Sequence, residues 1–503
     1  MSASAALYRR VDLPPEALRL LAYRDPARFP ILLDSSATGS LGRHSILAAC
    51  PQGSLWLAWD GQLHGEGLHA GGLGPVSPGQ RFIAALEVLH QREGAAVRAA
   101  GAGETPASAG PFHGGWMLFL SYEMAAGFEP QLQLPQPLGA APGRPAAPMA
   151  LALRIPAAVI FDHQSGQAWL MAEAGRPELL EELAAQLARL PGAGEALARL
   201  QRLPLPALTL TEEPSGRYRH AVEQALEHIR AGDIYQANLA RGWRGVFAEG
   251  DAATDAGDTG AGELLTPVLY ERLRRANPAP FAALAQHRGW RLLSSSPERL
   301  VRTQERLVET RPIAGTRARS RRPGEDEHEL AALIANPKER AEHVMLVDLE
   351  RNDLGRICEA GSVRADEILF TESYAHVHHI VSSVTGRLRE DVTPLQVLRA
   401  VFPGGTITGC PKFRCMQIIA QLEGQARGAY TGGIGYLNHD GSMDFNILIR
   451  SLTLAGRQLE LRAGAGIVAD SEWERELAET RAKARGLLAA LEAPAMAATA
   501  GLR

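Results

Sequence analysis

The chain has 503 residues, 46% of them apolar and 21% charged, with a formal net charge of -4. That is an ordinary globular balance with room for a large core, and it gives no electrostatic footprint for nucleic acid or a membrane surface. No apolar run is long enough to span a bilayer, the N-terminus lacks the order of a signal peptide, and four cysteines (Cys50, Cys358, Cys410, Cys415) form neither a disulfide framework nor a zinc spacing, so the expectation is a reduced, cytoplasmic protein.

Residues 1–205 read as one α/β half. Strands are expected at 30–36, 42–49 and 54–59, then an Ala/Gly loop at 94–108. Residues 112–122 read as an apolar strand with a glycine bend, 132–148 as irregular, 149–161 and 168–172 as a strand pair, and 177–190 as an amphipathic helix. Pro204-Leu-Pro206 marks a boundary, and a second half spans 213–490. It opens with a helix at 218–231 ending at Gly232, and a strand follows at 234–243. A Gly/Ala/Asp stretch at 249–262 reads as a mobile insertion. Strands are expected at 281–284 and 290–295, a hairpin at 299–303 and 306–310, a loop at 311–316, and a further strand pair at 432–437 and 445–454.

Two stretches carry chemistry. Asn336 and Pro337 suit the cap and first position of a helix in which Glu339 closes a capping box and Glu342 stands spare before an apolar run. Near the end, a strand at 459–462 runs into Gly464-Ala-Gly466, expected as a turn whose N–H groups approach a ligand. Ser471 reads as the N-cap of the next helix, with Glu474 completing its capping box, so Glu476 and Glu479 are spare on one face and Lys483 lies four further on. Taken alone, that stretch reads better as a solvated acidic face. Two helices with a Glu pair each could instead gather four carboxylates, an oxygen-only set that suits Mg²⁺.

Eight motifs in order alter that balance: Asp233-Ile-Tyr-Gln-Ala-Asn-Leu-Ala240, Ser296-Pro-Glu298, Pro312-Ile-Ala-Gly-Thr316, Glu342-His-Val-Met-Leu-Val-Asp-Leu-Glu-Arg-Asn-Asp353, His378-His-Ile-Val-Ser382, Phe402-Pro-Gly-Gly-Thr-Ile-Thr-Gly-Cys-Pro-Lys412, Arg462-Ala-Gly-Ala-Gly466 and Glu476-Leu-Ala-Glu-Thr-Arg-Ala-Lys483. With these the chain resembles the chorismate-utilising enzymes, which include anthranilate synthase, aminodeoxychorismate synthase, isochorismate synthase and salicylate synthase. Looser matches in the first half are Leu32-Leu-Asp-Ser35 with Gly42-Arg43, and Pro111-Phe-His-Gly-Gly115. The resemblance implies an α/β fold: a two-lobed sandwich of large, mostly antiparallel sheets flanked by helices, with the two halves interleaved.

The resemblance also implies roles. Mg²⁺ would be held by Glu342 and Glu479 with Glu339 and Glu476 alongside, bridging the ring carboxylate of chorismate. Arg450 and Tyr430 would meet the enolpyruvyl carboxylate, and Gly464, Gly466 and Lys483 a carboxylate. Without the motif, Arg450 would pass for a surface charge and Tyr430 for core. Glu298 would be the acid that protonates the C4 hydroxyl, His379 an orienting donor near it, and Gly315, Thr316 and Thr406 contacts to the ring substituents.

Water-adding members carry a lysine base at the position that is Gln236 here. An amide cannot deprotonate water, so the expected nucleophile is ammonia, delivered from glutamine by a separate amidotransferase subunit because no cysteine sits in a Gly-x-Cys-x-Gly elbow. The text favours the aminodeoxychorismate branch, with anthranilate formation as the alternative; Ala314 replaces a lysine found in many aminodeoxychorismate synthases. Leu32-Leu-Asp-Ser35 marks a candidate tryptophan pocket. A non-catalytic binder of chorismate or tryptophan fits less well, because it has no need of an acid at the leaving group.

Overall fold

The computed structural model describes residues 6–492, except 38, 40, 69–75, 100–109, 137–146, 191, 249–260, 319–321, 323 and 374–376; several side chains within 96–99, 261–263, 314–339, 367–373 and 377–379 also lie outside the described set.

Among the described residues, two large antiparallel sheets, of twelve and eleven strands, form the body of the protein, with helices on their outer faces. This is the α/β sandwich expected from the sequence. Both sheets draw on both halves of the chain. In the larger sheet, Ile31–Asp34 pairs with Phe281–His287 and brings Leu32 opposite Leu284. In the smaller, Gly115–Leu120 pairs with Gly433–Asn438. The inner faces carry alternating apolar residues and close on one another through Phe119 and Trp290, whose ring centroids lie 4.7 Å apart. Helix Pro78–Ala99 covers the outside of the smaller sheet, and helices Ala261–Ala276 and Trp473–Leu491 the outside of the larger. Among the described residues no helix is long and apolar enough to cross a membrane.

Two segments expected as single strands are each two strands in different sheets. Residues 149–161 divide at Pro156 into Ala150–Ile155, in the smaller sheet, and Ala157–Asp162, in the larger. Residues 445–454 divide in the same way between Met443–Ile447 and Ser451–Ala455. Both stretches are apolar throughout because both faces of each sheet are covered, so periodicity did not reveal the crossing.

Other expectations change locally. The loop at 94–108 is helical through Ala99, and the rest of it lies outside the described residues. Residues 313–318 are a strand, Ile313–Ala318, rather than a loop. The insertion at 249–262 lies outside the described residues up to 260, and Ala261 begins a helix. Helix Ala193–Arg202 was not anticipated. Gly464 and Gly466 lie inside strand Gln458–Ile467 rather than in a turn.

Candidate active site

The site is built on strand Gln236–Phe247 and its antiparallel neighbour Gln458–Ile467, where Asn238 faces Gly466 and Ala240 faces Gly464. Glycine serves here by leaving room. A Cβ on Gly464 would stand 2.6 Å from the Asn238 side-chain oxygen and 2.7 Å from the Tyr430 hydroxyl. A Cβ on Gly466 would stand 2.5 Å from Gln236 Nε2 and 3.4 Å from Glu342 Oε1. Tyr430, Asn238, Gln236 and Glu342 therefore converge over these two positions.

Gln236 donates a 2.9 Å hydrogen bond to Glu342, which lies on helix Pro337–Gly355. From the other side comes helix Trp473–Leu491. Ser471 does not cap it; Glu472 holds that position. The Ser471 hydroxyl instead accepts from the Val468 N–H at 3.1 Å and donates to Glu476 at 2.7 Å. Glu476 is thus buried and held rather than spare, whereas Glu479 is exposed and paired with Lys483 at 2.7 Å across one turn. Glu339 lies in the first turn of its helix, but its side chain is outside the described residues. Among the described residues, no three acidic, histidine or cysteine side chains are gathered as a metal cluster.

Glu298 follows strand Trp290–Ser296 and is 4% exposed. Burial pushes its carboxyl up to about 8, against the pull of a 2.8 Å hydrogen bond from the Thr406 hydroxyl. Thr406 lies in the tight turn Gly405–Ile407. Arg450 stands where the chain passes from the smaller sheet to the larger and takes φ +52, a strained value for a residue with a side chain. Its carbonyl accepts from the Ser295 N–H, while its guanidinium has neither a hydrogen bond nor an ion pair among the described residues. Burial lowers its proton affinity, and Tyr430 and Glu298 oppose that. Tyr430 is buried and its hydroxyl is pushed up to about 12.

Gly315 and Thr316 lie on strand Ile313–Ala318, with Thr316 opposite His379 and a register shift after Ala314. The side chains of Thr316 and His379 are outside the described residues.

Several residues that join the site escaped the sequence reading. Arg427 donates to Glu423, to the carbonyl of Asn238 and to the carbonyl of Ile407, while Glu423 accepts from the Ala240 N–H. One buried ion pair thus ties the central strand to the turn that carries Thr406. Glu423 and Arg427 are four apart, but Gly424 between them ends the helix, so helical spacing does not bring the pair together. Glu350, Asp353 and Lys412 were quoted within motifs without a role.

Away from this site, a cavity of about 280 Å³ lies between the sheets, lined by Asp34, Arg43, Phe281, Tyr436 and Asp444 among others. The Asp34 carboxylate accepts from Ser45 at 3.1 Å and Tyr270 at 3.3 Å and pairs with Arg274.

A family model described as chorismate binding enzyme matches residues 76–489, and the chain belongs to that family. The anthranilate synthase component I-like protein of Synechocystis is 42% identical over 76% of this chain and 73% of its own. Aminodeoxychorismate synthase component 1 of Bacillus subtilis is 39% identical over 66% of this chain and 68% of its own. The crystal structure of anthranilate synthase component I from Streptococcus pneumoniae superposes with a TM-score of 0.70 at 29% identity, covering 90% of this chain and 93% of that one.

Proposed function

We propose that this chain aminates chorismate at C4, giving 4-amino-4-deoxychorismate with the enolpyruvyl group retained. The observation that carries this reading is a buried carboxyl at Glu298 beside an unpaired guanidinium at Arg450. The C4 hydroxyl is a poor leaving group. Glu298, kept protonated by burial, gives its proton to that oxygen; the C–O bond breaks, water leaves, and ammonia supplies the new C–N bond. Arg450 and the Tyr430 hydroxyl bind the enolpyruvyl carboxylate as a charge-assisted pair. Thr406 orients Glu298. His379 and Thr316 are proposed beside the C4 oxygen, with Gly315, Gly464 and Gly466 as close-approach positions. Gln236 is an amide and cannot serve as a base for water, which favours ammonia as nucleophile.

Glu339, Glu342, Glu476 and Glu479 are proposed to hold Mg²⁺. The donors are oxygen throughout, as that ion prefers, and two of them are oriented by neutral donors, Gln236 and Ser471. When bound, the ion supplies positive charge against the ring carboxylate of the substrate.

Ammonia is proposed to come from a separate glutamine amidotransferase subunit. Burial raises the thiol of each cysteine, Cys50, Cys358, Cys410 and Cys415, so none has the lowered affinity for its proton that a nucleophilic cysteine needs.

The alternative is anthranilate formation, favoured by Ala314 and by relatives named anthranilate synthase. Asp34 weighs the other way. Its carboxylate is engaged by Arg274, Tyr270 and Ser45, and that of Asp444, the other acid lining the cavity, by Arg299, so each acid there is already held by a cation. We read that cavity as a structural pocket rather than a feedback site. A lactate-dehydrogenase-coupled assay with chorismate, Mg²⁺ and ammonium tests the choice: no pyruvate is expected, and stoichiometric pyruvate would transfer the assignment to anthranilate.

A further inference from the structure

We propose that Glu350 is a positioning residue for Glu298: a second carboxyl behind the turn that carries Thr406, whose charge sets how firmly Glu298 holds its proton. This rests on the reading of Glu298 as the acid. Glu350 lies two turns beyond Glu342 on helix Pro337–Gly355 and is 6% exposed. Its Oε1 would stand 3.2 Å from a Cβ built on Gly405, so the carboxyl is pressed against the backbone of turn Gly405–Ile407. The next residue, Thr406, donates to Glu298 from that turn. The two acids thus flank one short piece of backbone.

The Glu350 carboxyl accepts from the Thr310 hydroxyl and the Gly405 N–H. It has no ion pair among the described residues. Lys412, the nearest cation, is bound to Asp353 and to the Val401 carbonyl. A buried acid held by two neutral donors and by no cation is a cost that an apolar side chain of the same length would avoid. The groups that bear on it are Asp353 from its own helix, Lys412 from helix Lys412–Glu423, Thr310 from strand Leu307–Thr310, and the Gly405 N–H. Burial raises Glu350, and the negative charge of Asp353 adds to that. The charge of Glu350 in turn adds to the burial that raises Glu298, against the Thr406 hydroxyl, the Ile313 N–H and the charge of Lys483, which lower it; the Arg450 guanidinium also faces Glu298. Two carboxyls so placed cannot both ionise easily, and whichever ionises first holds the proton on the other.

The test is the pH profile of kcat at saturating chorismate and a fixed concentration of free ammonia. Glu298 works protonated, so activity is lost as pH rises through its titration. Removing the Glu350 charge makes Glu298 easier to ionise. Glu350→Gln should therefore move the alkaline limb down, by on the order of one pH unit, with kcat below the limb within about threefold of the parent. Glu350→Asp, which keeps the charge, should leave the limb near its parental position, and Glu350→Met, which suits the apolar surroundings, should reproduce the downward shift if the amide variant folds poorly. A uniform fall in kcat with an unmoved limb would overturn the proposal and leave Glu350 a packing residue. If Glu298→Asp also changes neither kcat nor the limb, the assignment of Glu298 itself fails; if it moves the limb while Glu350→Gln does not, only the role of Glu350 falls.

Discussion

The Thr406 hydroxyl donates a 2.8 Å hydrogen bond to the Glu298 carboxyl, and the two residues lie 108 positions apart in the chain. A donor at that place favours the charged form of an acid that burial otherwise keeps neutral. Thr406→Val should raise the proton affinity of Glu298 and carry the alkaline limb of kcat upward. That is the opposite direction to Glu350→Gln. Glu298→Gln should lower kcat by about 10²–10⁴ while leaving KM for chorismate nearly unchanged, as steady-state kinetics would show.

Arg450 spends an unpaired guanidinium on the site and a strained backbone on holding it there. Arg450→Ala should raise KM sharply and cost about 1.5–3 kcal/mol in kcat/KM, the value of a hydrogen bond to a charged group. The melting temperature should stay level or rise, because no partner is orphaned. A lowered melting temperature with unaltered KM would return Arg450 to a structural role.

The Glu423–Arg427 pair should behave in the reverse way. Both side chains are buried, and Arg427 alone reaches Asn238, Ile407 and Glu423. Arg427→Met leaves Glu423 with Arg462 alone, at 3.6 Å, and the carbonyls of Asn238 and Ile407 without a donor, and should cost about 1–3 kcal/mol in denaturant unfolding. Activity should fall with it, because the strand and the turn lose their common anchor.

Much of this was legible in the sequence, and the limits have physical causes. Glu298, Tyr430 and Arg450 were singled out through the resemblance; in the structure Glu298 and Tyr430 are buried, and the Arg450 guanidinium has no hydrogen bond or ion pair among the described residues. The glycines at Gly464 and Gly466 were read as a turn because glycine usually marks one; here they make room inside a strand for Asn238, Tyr430, Gln236 and Glu342. Ser471 had the spacing of a capping box with Glu474, but its hydroxyl is taken by Glu476. Glu423, Arg427 and Glu350 were missed because local sequence does not reveal that a charged residue is buried. The sheet crossings at Pro156 and Arg450 were hidden for the same reason: a strand covered on both faces has no polar rhythm to show where it ends.

Gly464→Ala tests the close approach directly. Its Cβ would fall within 2.8 Å of Asn238, Tyr430 and the Leu239 carbonyl, two of them side chains at the site. Loss of chorismate binding in calorimetry is the expected result, together with a lowered unfolding midpoint because the Leu239 carbonyl is backbone and must shift.

Metal removal should abolish turnover. Dialysis against chelator should stop it and added Mg²⁺ restore it, while Glu342→Gln and Glu479→Gln should stay inactive at any Mg²⁺ concentration. Full activity in excess chelator would contradict the glutamate assignment.

The central claim is that ammonia replaces the C4 hydroxyl while the enolpyruvyl ether survives. It is tested most directly by supplying ¹⁵N-ammonium and chorismate labelled with ¹³C in the enolpyruvyl carbons, together with Mg²⁺, and weighing the product by mass spectrometry. A single product carrying both labels is predicted. A ¹⁵N-labelled aromatic acid that has lost its ¹³C to free pyruvate would contradict it.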